Sequence, residues 1–336
     1  RRLQGRQPDY ARMAVRYLSG DVPSGGLVAW VESITGETGL TTEQAEQRAA
    51  QFAQYRADMV AFVGGRTGNA NLTEQAAFDL FTMLPADLQR LFLDRVLLAE
   101  LRAAGRAAAA AGSKDCTRAF TALETYFPGS NPDLDAGESN PYRGDIALYF
   151  SRVYALAGGD ISLFAPGGSV NAGLASPPAA FGLSKNAADL GIVIRGPGSV
   201  NSVSYGDFQV NESRVFATDG GDILVWSTNG DIDAGRGAKT AISAPPPTIT
   251  FDENGKAIVN FPTTLAGSGI QTLATSVGVE PGDVDLFAPR GVVNAGDAGI
   301  VAGNLTIAAT AVIGADNIQF GGVAVAFKRG EFEVAL

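Results

Sequence analysis

From Gly144 onward apolar and polar residues alternate at period two: Ile161, Leu163 and Ala165 are separated by Ser162 and Phe164, and Val170 and Ala172 flank Asn171. Such alternation predicts short β-strands with one buried face. Glycine-bearing corners, Gly167-Gly168 among them, part the strands. One fifteen-residue phrase recurs as GDISLFAPGGSVNAG from Gly159, GDILVWSTNGDIDAG from Gly221 and GDVDLFAPRGVVNAG from Gly282, with starts 62 and 61 residues apart. Strands this short cannot shield a face alone, so the repeat predicts stacking of each rung on the last. At roughly 20 residues per coil, the spacing reads as three coils, putting the phrases on every third rung of one column about 14 Å apart. Weaker copies run from Leu190 and from Ala302. About ten coils then fit between Gly144 and Leu336, a rod on the order of 50 Å long.

Before the repeats the period changes. Thr41 and Gln44 have capping-box spacing, and Ala45, Ala49, Phe52, Met59, Val60 and Val63 follow a helical period that is expected to end at Gly64-Gly65. Thr73-Glu74 opens a second helix, which stops before Pro85. From Ala86 a third, carrying Leu88, Leu91, Phe92, Leu93, Val96, Leu97, Leu98 and Leu101, is apolar nearly all round and predicts a buried helix. A fourth runs from Thr117 to Phe127. Residues 1–40 give little pattern; LVAWVESITG reads as a strand or a short helix. The fold class is therefore mainly β: a right-handed parallel β-helix over 141–336 with a mostly helical module over 1–140, joined by the turn-rich stretch 128–141. Two interruptions are expected in the repeats. One is a proline-bearing loop near 174–189. The other is a hairpin near 245–265, where TITFDENGKAIVNF places two β runs around Asn254-Gly255 and projects them from the shaft.

The runs GGDISLFAPGGSVNAG, VNESRVFATDGGDILVWSTNGDIDAGRGAKTAISAPPP and GDVDLFAPRGVVNAGDAGI resemble the filamentous haemagglutinin family of bacterial two-partner secreted exoproteins, and within it an uncharacterised domain toward the C-terminal end of some members. The resemblance covers Tyr142 to about Gly322 and extends more weakly into the helical stretch. It implies a secreted or cell-surface adhesin, exported through an outer-membrane two-partner secretion transporter, whose further partner is a host-cell or bacterial surface receptor or glycan. It implies no enzymatic role.

Net charge is −10 and the repeats carry most of the excess, so neither nucleic acid nor an anionic membrane is an expected partner. No apolar run is long enough for membrane insertion. Cys116 is the single cysteine, which excludes an internal disulfide and, without a base beside it, reads as an inert thiol. A chain opening on Arg1 without methionine is expected to belong to a longer polypeptide. Parallel β-helices also carry polysaccharide lyases and hydrolases, the competing reading here. Histidine is absent, which removes Ser-His-Asp, Cys-His and histidine-metal chemistry together. Paired carboxylates, or calcium with an arginine base, remain: Asp160, Asp222 and Asp283 recur, as do Asn171, Asp233 and Asn294, and Asp231 with Asp233 and Asp283 with Asp285 fall on one side of a strand. The recurring Asx residues read first as corner closers that bond nearby amides. No catalytic residue, metal or cofactor is assigned. If Ile161, Ile223 and Val284 point inward, alternation turns Phe164, Trp226 and Phe287 outward in one line: either a binding strip or a face covered by the helical module or a loop. With the hairpin tip Asn254 and Gly255, these three rings are the candidate contact surface.

Overall fold

The computed structural model describes residues 6–20, 25–130, 133, 139–173, 190–236, 241–243, 248–251, 257–260, 264–276 and 278–326. The chain divides into two compact units, 1–107 with 115–142, and 108–114 with 143–336.

The first unit is helical, and the described residues hold six α-helices, of which the end of α5 belongs to the second unit: α1 (Tyr10–Leu18), α2 (Gly26–Thr35), α3 (Thr42–Thr67), α4 (Glu74–Thr82), α5 (Ala86–Ala111) and α6 (Thr117–Tyr126). The stretch 26–35 is thus a helix. α1 was not legible in the sequence, although Asp9 caps it through Arg12 N and Met13, Ala14, Tyr17 and Leu18 bury one face. Thr41 and Gln44 form the reciprocal capping box. The helix they open does not stop at Gly64-Gly65 but runs on to Thr67, ending at Gly68 with φ 70°. Gly64 serves close approach instead, since a Cβ there would lie 2.8 Å from Asn69 O. Edge-on aromatic contacts tie the helices: Phe52 packs on Tyr17 and Trp30, and Phe62, Phe81 and Phe92 form a triad. Across α5 and α6, Arg118 grips the fully buried Glu100 with two bonds of 2.7 and 2.8 Å, and Tyr55 donates to the same carboxylate at 2.8 Å. Burial works against the Arg118 charge, but Glu100 outweighs it and holds the guanidinium above its ordinary value. Leu91 corrects the expectation of all-round burial for α5: it is exposed.

The second unit is made of parallel strands in three columns. The first column is Ile161–Ala165, Val200–Ser204, Ile223–Ser227, Val284–Ala288, Leu305–Ala309 and Ala324–Ala326. The second is Ile146–Ala147, Val170–Asn171, Phe208–Gln209, Ile232–Asp233 and then the far halves of the long strands Val284–Asn294 and Leu305–Ile313. The third is Arg152–Ala155, Gly191–Ile194, Arg214–Thr218, Gly269–Leu273, Ile300–Ala302 and Ile318–Phe320. The chain visits the columns in the same order every time. Register stacks like on like: Ile161, Val200, Ile223, Val284 and Leu305 form one file, and Val153, Ile192, Val215, Ile270, Ile300 and Ile318 another. These files make up the main apolar cluster of the unit, each fully buried aliphatic contributing roughly 1.5–3 kcal/mol.

The rung count departs from the sequence reading. Ile161 reaches Ile223 in two steps through Val200, while Ile223 pairs directly with Val284. Bare rungs take 19 to 23 residues, and the longer intervals hold insertions, so among the described residues column one has six levels where the sequence reading fitted about ten coils. The phrases therefore sit on the first, third and fourth levels of one sheet. Both insertions leave the same corner, after Val170–Asn171 and after Ile232–Asp233. The first, 174–189, lies outside the described residues. The second contains two antiparallel pairs, Ala241–Ser243 with Thr264–Ala266 and Thr248–Phe251 with Ala257–Asn260.

Candidate functional site

The recurring acidic residues resolve into two ladders, one at each end of column one. Where the chain enters that column, Asp160 Oδ1 accepts from Ser199 N at 2.9 Å, Asp222 from Asp283 N at 2.9 Å, Asp283 from Asn304 Nδ2 at 2.8 Å, and Asn304 from Val323 N at 2.9 Å. Where it passes to column two, Asp145 accepts from Ser169 N, Asp207 from Asp231 N and Asp231 from Val292 N, at 2.8 to 2.9 Å. Each of these carboxylates bonds the rung that follows it, so the acid joins one level to the next, where the sequence reading had it bond the amides of its own corner. The glycine before the donating amide completes the device. A Cβ on Gly282 would lie 2.2 Å from Gly221 O, and one on Gly291 would lie 2.0 Å from Gly230 O. Backbone crosses backbone there without room for a side chain. The signal was present as Gly-Asp pairs at 144, 206 and 230 as well as in the three phrases.

A third set works locally. Asn171, Asp233 and Asn294 accept from the amides of Gly173, Gly235 and Gly296 at 2.8 to 3.0 Å, the two-residue Asx turn. Asn211 Nδ2 then bridges to Asn171 Oδ1 and Gly173 O from the next level. Sequence reading missed Asp219, which stands at φ 60° and accepts from Thr275 N, Thr275 Oγ1 and Ser276 N, each at 2.8 Å. Burial opposes its ionisation, but the bonds from Thr275 and Ser276 outweigh it and hold the carboxyl below its ordinary value. Asp285, the proposed neighbour of Asp283, is fully buried. Among the described residues no three His, Cys, Asp or Glu gather as a metal would require.

Phe164, Val203, Trp226, Phe287 and Ala308 share one file of column one and alternate with the members of the apolar cluster. Their exposure corrects the picture of an open strip. Trp226 and Phe287 are both 0% exposed and pack edge to face with centroids 6.1 Å apart, while Trp226 Nε1 donates to Thr228 Oγ1 at 3.1 Å. Phe164 alone is part-exposed. An apolar face of this size is covered because leaving it in water is costly. The other candidate contacts, Asn254 and Gly255, lie outside the described residues. Cys116 is buried, and burial first, with the charge of Asp115 second, pushes its thiol up to about 12.

The geometry is that of parallel strands paired in three columns, and the recurring phrase supplies the devices at their corners. Residues 220–328 match the model of a family described as filamentous haemagglutinin family outer membrane protein, the family whose phrases the sequence resembles. The match spans the second and third phrases, the paired insertion strands and the last levels of all three columns. Neither a curated protein nor a solved structure matches the chain. No helix among the described residues is long and apolar enough to cross a membrane.

Proposed function

We propose that this chain is a structural and adhesive segment of a secreted, haemagglutinin-like surface exoprotein, in which the repeat unit winds as a right-handed parallel β-helix and displays the insertion near 241–266. The single observation that carries the reading is the fixed visiting order of three parallel columns with both insertions leaving one corner. Parallel strands joined by crossovers are almost always right-handed, because a right-twisted strand packs back onto its sheet only that way. An extra segment placed at a corner leaves the file of buried aliphatics intact, so the shaft tolerates display there. Export through an outer-membrane transporter fits a fold whose contacts run between successive levels and form in order as the chain emerges.

Against the competing glycan-active reading stands the bonding of two of its acids. Asp231 and Asp283 have their Oδ1 atoms engaged by the next rung, where they serve the fold. The reading is non-enzymatic, without cofactor or metal. Retention of the labelled chain on epithelial-cell monolayers should exceed that of a variant in which 241–266 is replaced by a short glycine turn, with the circular dichroism of both alike. Equal retention removes display from the insertion, and none by either makes the segment a passive stalk. Depolymerisation of an acidic polysaccharide, abolished by Asp231→Ala, would replace the adhesive reading with the enzymatic one.

A further inference from the structure

An open groove of about 460 Å³ in the helical unit is lined by residues of α1, α2 and α3. Its lining includes three guanidinium groups, Arg12, Arg16 and Arg56, and no acidic residue. In a chain of net charge −10 that is a local reversal of sign. Arg16 Nη1 donates to the carbonyls of Ser33 and Ile34 at 3.1 and 2.7 Å, and Arg12 Nη1 reaches Glu124 O at 3.4 Å. Carbonyl partners hold a guanidinium in place without neutralising it. Of these three arginines Arg56 meets a carboxylate among the described residues, Glu74 at 2.9 Å, and that partner is largely exposed. Each guanidinium has five N–H donors in a rigid fork, so most of this donor capacity is unspent.

The rest of the wall is apolar. Val15 stands 58% exposed on the same side of α1, and Trp30 and Ile34 are buried behind it. A volume near 460 Å³ is within the range that holds a small organic molecule. The chemistry that satisfies all of these features is a negatively charged fork acceptor on an apolar body.

We propose that this groove binds a small organic carboxylate, its oxygens taken by Arg12 and Arg56 and its apolar part laid against Val15 and Trp30. Arg16, anchored to the end of α2, fixes the charge between them. The site is independent of the adhesive reading, since it lies wholly within the helical unit. Calorimetric titration of the full chain with phenylacetate tests it. Saturable binding is expected, at least tenfold tighter than for phenylacetamide or inorganic sulfate, and weakened at least tenfold in Arg12→Gln/Arg56→Gln. If that double variant unfolds, Arg12→Lys, which keeps the charge and loses the fork, should bind several-fold more weakly than the parent. No saturable signal with phenylacetate, equal affinity for the amide or for sulfate, or full affinity in a folded arginine variant would each overturn the assignment.

Discussion

Trp226 and Phe287 occupy directly paired positions on neighbouring rungs, and both rings are fully buried outside the main apolar cluster. If they stabilise the stack, as their packing requires, truncating either one removes its buried area and leaves a cavity. Phe287→Ala and Trp226→Ala should then each cost about 3–5 kcal/mol. The edge-to-face contact adds about 0.5–1.5 kcal/mol beyond area burial, so the double variant should be less destabilised than the two singles together by about that amount. Phe287→Leu, which keeps much of the volume, should cost only about 1 kcal/mol. Urea unfolding followed by far-ultraviolet circular dichroism reads all four, with the slope of the transition tracked because stacked repeats can lose cooperativity. A cost for Phe287→Ala below about 1 kcal/mol at unchanged slope would refute the reasoning. The ring would then be dispensable to the stack, and a binding role for that file would return.

Three further perturbations probe other parts of the same argument. Gly291→Ala forces a methyl group against Gly230 O, so a loss of about 1–3 kcal/mol is expected from overpacking, read as a lowered urea midpoint; an unchanged midpoint would show that the rungs can part. Arg118→Met strands the buried Glu100 charge and should cost about 3–5 kcal/mol, whereas Arg118→Met with Glu100→Leu should recover most of it in thermal melts; a double variant no better than the single would show that the charge is not what destabilises. Asp219 has a folded value below its unfolded one, so its contribution is present above about pH 4 and lost as pH falls through the lowered value. The protection factors of the Thr275 and Ser276 amides, measured against the intrinsic exchange rate at each pH, should accordingly fall on acidification in the parent and be low at every pH in Asp219→Ala; the same pH profile in both would exclude the carboxylate as the clamp.

The corner devices are one side chain deep and local in sequence, which is why so much of them could be read. Period-two alternation named the strands, and the Asx residues at 171, 233 and 294 announced their own turns because the acceptor and the amide it bonds lie two residues apart. Thr41 and Gln44 declared a helix start for the same reason. The helix α1 escaped notice because its nine residues offer little more than two turns of period.

Level number and exposure were decided elsewhere. A spacing of 61 residues is compatible with three bare rungs or with one rung and an insertion, and only the pairing of Val284 with Ile223 selects the second. Alternation could place Trp226 and Phe287 off the interior files, but whether that side meets water depends on segments distant in sequence, and both rings are covered. The bonds from Asp222 to Asp283 N and from Asp231 to Val292 N span 61 residues each. Sequence by itself therefore determined the strands, their corners and the family they resemble. Tertiary structure decided which corners touch, because contact between levels depends on how much chain is looped out between them and not on the pattern within any one.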